Sequence, residues 1–336
     1  MKSILIIDEL HNDLVTKLVE LGFQVDYKPL IKTEEIENII HSYNGLILRS
    51  KVKVEKALID KAIKLEFIGR AGSGLENIDI SYAEKKGIKC FNSPEGNRDS
   101  VGEHTIGLLL NLLNKISKSN SEVKKAIWNR NNNWGTELKG KTIGIIGYGN
   151  MGRSFAKKLS GFEVNVIAYD KFKKDFSDNF VKEVEMETIF EQADILSLHI
   201  PLTKETNQMI SSEFLNKFKK SIYLINTSRG QIVNTKELAE NIDTGKVLGA
   251  GLDVLEIENF GFENIALNNS NKELNYLLNS DKVIITPHVA GWSQESYYKI
   301  SMVLADKIAN YYTKKSPKLK AQSSKLFPPS FEKGLR

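Results

Sequence analysis

Short runs of consecutive apolar residues alternate with stretches of helical period along most of this chain. From residue 142 the runs are "TIGIIGYG" (142–149), "VNVIAYD" (164–170), "ADILSLHI" (193–200), "IYLINTS" (222–228), "GAGLDVL" (249–255) and "VIITPH" (283–288). A strand with one face in water alternates apolar and polar residues, whereas an almost continuous apolar run needs cover on both faces. The pattern therefore predicts parallel strands flanked by helices on either side. The first hundred residues repeat the rhythm in shorter runs: "SILIID" (3–8), "FQVDY" (23–27), "GLILR" (45–49), "FIGRA" (67–71) and "KCFN" (89–92). Two doubly wound α/β domains follow from this count.

The stretch between the two sets, "SPEGNRDSVGEHTIGLLLNLLNKI" (93–116), begins with turn-forming residues and continues with helical spacing. Ile106, Leu109, Leu110 and Leu113 share one face of it, which suggests a helix around 102–118 linking the domains. "SQESYYKISMVLADKIANYY" (293–312) has helical spacing again and is expected to return to the first domain. The expected division is 1–98 with 293–312 as one discontinuous domain, 99–292 as the second, and 313–336 as a disordered tail.

Composition changes this picture in one place. The 336 residues carry a net charge of +5, which invites a nucleic-acid reading. Residues 313–336 alone hold seven Lys or Arg against one acid, a contribution of +6, and without them the total is −1. The basic character belongs to a Lys-, Pro- and Ser-rich end rather than to the body, so neither nucleic acid nor a membrane is an expected partner. The lone cysteine, Cys90, cannot form an internal disulfide and fits a reducing cytoplasm. The apolar start, "MKSILIIDEL", is too short to span a bilayer and has no small-residue cleavage site, so it is read as a first strand.

Chemistry concentrates at the ends of the strands. In "GIIGYGNMGRSFAKKL", Gly147, Gly149 and Gly152 stand between a strand and a helix, and Asp170 ends the next strand. In that context the glycines let a pyrophosphate approach the helix N-terminus, and the acid can accept from ribose hydroxyls. NAD is the expected cofactor, since a 2′-phosphate would meet the Asp170 carboxylate; Lys171 beside it works against that preference. Arg229 closes "INTSRG", Asp253 closes "GAGLDV" with Glu256 and Glu258 following, and His288 ends "VIITPH". A guanidinium can grip a carboxylate, and a histidine with an acid on its far nitrogen can carry a proton. Each residue alone also has a bland reading: a sheet-end arginine, solvated loop acids, a hydrogen-bonded core histidine. No metal is expected.

Seven segments together resemble the D-isomer-specific 2-hydroxyacid dehydrogenases: "GRAGSGLENID", "NSPEGNRDSVGEHTIG", "ELKGKTIGIIGYGNMG", "HIPLT", "NTSRG", "GAGLDV" and "TPHVAG". The resemblance implies a Rossmann-type NAD-binding domain, a smaller flavodoxin-like substrate domain, a cytoplasmic enzyme and a homodimer. It implies a catalytic set of Arg229, Glu258 and His288, with Glu256 as the alternative acid. Cofactor contacts carry over to Gly147, Gly149, Asn150, Met151 and Gly152 in the glycine turn, and to Asp170 on the next strand. They extend to His199, Pro201 and Thr206 around "HIPLT", to Thr227 and Ser228, and to Asp253 and Gly291. The backbone of Ser73, Gly74 and Leu75 corresponds to the family's carboxylate cradle. Arg49 and Arg70 match positions that face a substrate phosphate in 3-phosphoglycerate dehydrogenases, which points to serine biosynthesis in a short form. They are equally readable as structural arginines.

Two departures bear on the substrate. Glu258 and His288 stand 30 positions apart, farther than is usual in the family, with a long loop at 259–280. Glu76 replaces the more usual aspartate. Hydroxypyruvate, glyoxylate and D-lactate-type substrates therefore stay open. So does an NAD-sensing corepressor, a class that retains the triad. Formate dehydrogenases are less similar, having glutamine where Glu258 stands.

Overall fold

The computed structural model describes residues 1–258 and 272–315. The long loop before the histidine strand falls partly outside this range, and so does the tail from residue 316. Two compact units make up the chain, Met1–Asn97 with the segment from Ser293, and Arg98–Trp292.

The first unit holds five strands: β1 (Ser3–Ile6), β2 (Gln24–Tyr27), β3 (Gly45–Leu48), β4 (Phe67–Arg70) and β5 (Lys89–Asn92). They pair in parallel in the order β2-β1-β3-β4-β5, the flavodoxin-like arrangement. Successive residues of β1 explain the apolar run. Ile4 and Ile6 enter one core, while Leu5 and Ile7 enter the core on the opposite face. Helix Gln294–Lys315 covers the first of these cores with Leu304, Ala305, Ile308 and Tyr312.

The second unit holds β6 (Thr142–Ile146), β7 (Asn165–Tyr169), β8 (Lys182–Glu183), β9 (Ile195–Leu198), β10 (Ile222–Asn226), β11 (Val247–Leu252) and β12 (Val283–Ile285). Their order is β12-β11-β10-β9-β6-β7-β8, all parallel. This is the Rossmann order with one strand added at the β12 edge, and it reverses direction between β6 and β9. Ligands in such sheets bind beyond the strand C-termini at that reversal. Here too neighbours on one strand part company: Ile145 and Ile195 go to one core, Ile146 and Leu196 to the other.

Three elements differ from expectation. β8 is a seventh strand whose two residues, Lys182 and Glu183, carry no apolar signal. The linking helix starts at Pro94 and ends at Asn114, not at 102 and 118. Proline suits the first helical turn, and Lys115 takes a left-handed φ of 52° that breaks the helix before a second one, Ile116–Lys124. Part of the 259–280 loop is helix Lys272–Asn279, held by buried Leu274 and Leu277. Among the described residues no helix is long and apolar enough to cross a membrane.

Candidate active site

His288 follows β12 with its backbone left-handed, at φ 55°. A non-glycine residue held there costs on the order of 1–3 kcal/mol, so its surroundings must fix it. They do so through Asp253, which follows β11. The His288 amide donates to the Asp253 carbonyl at 2.7 Å. The Asp253 carboxylate accepts from the amides of Val289 and Ala290, both at 2.9 Å, and from the Thr286 hydroxyl at 2.6 Å. Burial raises the Asp253 pKa, but hydrogen bonds from His104, Thr286, Ala290 and Val289 outweigh it and hold the carboxyl below its ordinary value.

Glu258 meets the histidine ring. Its Oε2 lies 2.7 Å from His288 Nδ1, and its Oε1 accepts from the Leu255 amide at 2.6 Å. The glutamate side chain is 6% exposed and the histidine 23%, so the pair is shielded on the acid side and reachable on the other. A carboxylate at Nδ1 requires the proton there, and Nε2 becomes the nitrogen through which the ring can exchange a proton. Glu256 is engaged elsewhere: Gln208 donates to its Oε1 at 2.8 Å and the Thr235 amide to its Oε2 at 2.9 Å. Of Glu258 and its alternative Glu256, it is Glu258 that bonds the ring.

Arg229 follows β10 in a loop that packs against this segment. A Cβ on Gly230 would lie 1.9 Å from the Leu255 carbonyl oxygen, so only glycine allows the approach. Asn226 grips the loop from inside, accepting from the Ser228 amide at 3.0 Å and donating to the Arg229 carbonyl at 2.9 Å. The Ser228 hydroxyl donates to the Leu198 carbonyl at 2.6 Å, and Arg229 Nη1 donates to the Ser228 carbonyl at 2.6 Å.

The glycine turn lies at the sheet reversal. Gly147 has φ 93°, and a Cβ there would stand 2.4 Å from the His199 carbonyl oxygen. One on Gly152 would lie 2.1 Å from the Gly147 carbonyl oxygen. Those two glycines answer to the protein's own packing. Gly149 differs: nothing lies within 4 Å of its added Cβ, and it opens helix Asn150–Lys158. That open face, with the first-turn amides of Asn150, Met151 and Gly152 beyond it, suits an anion. Asp170 ties the region together, accepting from the Tyr148 amide at 2.8 Å and from those of Phe172 and Lys173 at 3.0 and 3.1 Å. His199 has its Nε2 2.9 Å from the Ser197 hydroxyl, and its Nδ1 is buried with no hydrogen-bond partner among the described residues. Burial pushes its pKa down to about 3, so the ring is neutral.

Residues 106–290, more than half of the chain, match the family model for the D-isomer specific 2-hydroxyacid dehydrogenase NAD binding domain. The chain belongs to this family. A D-3-phosphoglycerate dehydrogenase of Archaeoglobus fulgidus is 35% identical over 92% of this chain and 57% of its own length. This chain thus spans little more than half of that relative. A hydroxypyruvate reductase of Thermotoga maritima is 36% identical over 83% of this chain and 88% of its own. Among solved structures, a D-lactate dehydrogenase of Aquifex aeolicus complexed with NAD and lactic acid superposes with a TM-score of 0.78 at 27% identity, covering 95% of this chain and 97% of that one.

The glycine turn of this family member fits NAD: the face of Gly149 is bare and opens a helix where the sheet order reverses, and the buried His199 Nδ1 has no hydrogen-bond partner among the described residues. Other expected contacts are committed to local structure. Thr206 donates to the Pro201 carbonyl at 2.8 Å and accepts from the Thr203 amide at 2.8 Å, which shapes the loop after "HIPLT". Gly291 lies in the turn closed by the Trp292 amide on the Val289 carbonyl at 2.8 Å. In the first unit, Arg70 Nε donates to the Arg49 carbonyl at 3.2 Å and its Nη1 to the Gly74 carbonyl at 3.0 Å. Its guanidinium therefore braces the Ser73–Leu75 turn, which Asn92 and Asn97 also hold, through the Ser73 carbonyl at 2.6 Å and hydroxyl at 2.7 Å. One residue of the second unit was missed by sequence reasoning. His104 Nε2 lies 2.9 Å from the Thr286 hydroxyl and 3.4 Å from Asp253 Oδ1. Its only sequence signal is a histidine four residues after Ser100 on the same helix face.

Proposed function

We propose that this protein is an NAD-dependent dehydrogenase that interconverts a D-2-hydroxy acid and its 2-oxo acid. The observation that carries the reading is the shielded Glu258–His288 pair at 2.7 Å, placed at the strand ends of the NAD-binding unit. Bound NAD supplies the hydride chemistry. His288 gives a proton from Nε2 to the substrate's carbonyl oxygen during reduction, and takes one from the hydroxyl during oxidation. Such positioned acid–base groups contribute about 10²–10⁴ in rate. Glu258 keeps the Nδ1 proton in place and stabilises the imidazolium. Arg229 grips the substrate carboxylate and polarises the carbonyl. Asp170 disfavours a 2′-phosphate, which supports NAD over NADP.

For the substrate, D-3-phosphoglycerate is the first reading, supported by the names of several relatives and by Arg49. Hydroxypyruvate is the second, favoured by a specific observation: the Arg70 guanidinium is already engaged by two backbone carbonyls. A guanidinium held by two carbonyls has fewer N–H groups left for a phosphate dianion. NADH oxidation with 3-phosphohydroxypyruvate, hydroxypyruvate, glyoxylate and pyruvate tests both. Turnover with any of the four supports the enzyme, and their ranking selects the substrate. Tight NADH binding without turnover on any of them would overturn the reading in favour of a sensor.

A homodimer is also proposed. Trp128 and Trp134 are 80% and 77% exposed, and Ile116, Val123 and Ile127 are about half exposed, an apolar surface that a partner would cover. A monomer by light scattering at micromolar concentration contradicts it.

A further inference from the structure

The proton inventory around Asp253 assigns a direction to each bond. A threonine hydroxyl has one hydrogen, and that of Thr286 points at Asp253 Oδ1, 2.6 Å away. Thr286 therefore has none to offer His104, whose Nε2 is 2.9 Å from the same oxygen. The Nε2 of His104 must be the protonated nitrogen, donating to Thr286 Oγ1 and lying 3.4 Å from Asp253 Oδ1. The neighbours on its helix, Pro94–Asn114, act on the same loops. Ser100, one turn earlier, donates to the Ala290 carbonyl at 2.7 Å. Thr105 gives its single hydroxyl proton to the Val101 carbonyl at 2.7 Å, so across the 3.2 Å contact Thr227 is the donor. The single hydroxyl proton of Thr105 thus fixes the direction of the helix's hold on the Arg229 loop.

We infer that His104 is a positioning residue for His288, acting through Thr286 and the Asp253 carboxylate to hold the left-handed turn that presents the ring. Asp253 is 1% exposed, and a buried carboxylate oxygen is costly to leave short of donors. Without His104, Thr286 Oγ1 loses the bond that orients it, and Asp253 Oδ1 loses a nearby N–H. The Asp253 carboxylate that clamps the amides of Val289 and Ala290 is then less firmly oriented, and the His288 turn, strained at φ 55°, relaxes. The inference rests on the proposed acid–base role of His288 only for its effect on rate; its effect on the turn stands alone.

The test uses His104→Leu, which removes the donor, and His104→Gln, whose side-chain amide can restore it. With the best 2-oxo acid of the panel, His104→Leu should lower kcat about tenfold. His104→Gln should recover most of that loss, and adding Thr286→Val to His104→Leu should cost little more, because both act along one chain. Selective ¹⁵N labelling of the five histidines gives a readout that needs no turnover. The His104 ring should be protonated at Nε2, and the His288 ring signals should move in His104→Leu but not in His104→Gln. Unmoved His288 signals in His104→Leu, or a His104 ring protonated only at Nδ1, overturn the inference. Should wild type turn over none of the acids, the functional reading fails, and the ring signals still decide the role of His104.

Discussion

Glu258 Oε2 and His288 Nδ1 lie 2.7 Å apart, joined across 30 positions of sequence by two strand ends that the sheet sets side by side. The hydrogen bond fixes which ring nitrogen faces the acid. His288→Ala should lower turnover by about 10²–10⁴ while NADH affinity stays within about twofold, because the glycine turn is untouched. Glu258→Gln should fall between that variant and wild type, since an amide can still orient the ring but not stabilise its charge. Steady-state kinetics together with fluorescence titration of NADH checks both. Full turnover in His288→Ala would assign the proton to another group.

The three glycines of the turn should separate by cause. Gly147→Ala forces a Cβ to 2.4 Å from the His199 carbonyl at a left-handed φ, and should destabilise the fold by roughly 2–4 kcal/mol. Gly149→Ala meets no protein atom within 4 Å. It should melt like wild type and bind NADH about tenfold more weakly or worse. Thermal unfolding of both variants and NADH titration of Gly149→Ala check this. Wild-type NADH affinity in Gly149→Ala would remove the pyrophosphate from that face.

His199 should make the apoprotein acid-sensitive. Its folded pKa is lowered from 6.5 to about 3 by burial. Below about 6.5 the unfolded chain binds a proton at this ring that the folded chain refuses, so stability is full above that value and declines as pH falls toward 3. His199→Gln should lose less stability than wild type between pH 7.5 and pH 5, measured by urea unfolding. Equal losses would mean that the ring protonates in the folded state.

Much of this was legible in the sequence, for a physical reason. Apolar runs such as Ile143–Ile146 enter two cores at once, so strand identity and sheet class follow from the run itself. β8 was invisible because two residues, Lys182 and Glu183, carry no burial pattern. The start of helix Pro94–Asn114 was misread because Gly96, Asn97 and Ser100 have low helix propensity; packing decides there, with a Cβ on Gly96 only 2.5 Å from the Ile300 backbone. The resemblance pointed to Glu258 with Glu256 as the alternative, and the local sequence could not show that Gln208 and the Thr235 amide already hold Glu256. His104 escaped for the same reason. Its meaning depends on Thr286 and Asp253, which are remote in sequence. Arg70 was readable equally as a phosphate ligand and as a structural arginine, and nothing in its local sequence reveals its bonds to the Arg49 and Gly74 carbonyls.

As proposed, this chain moves a hydride to C2 of a 2-oxo acid while His288 supplies the proton. Incubating the enzyme with NADH carrying deuterium at both C4 positions and with hydroxypyruvate or its phosphate, then analysing the product's chirality and label, tests this. Deuterium is expected at C2 of the D-isomer, formed by wild type and all but lost in His288→Ala. Unlabelled product, the L-isomer, or equal labelling by both proteins would contradict it.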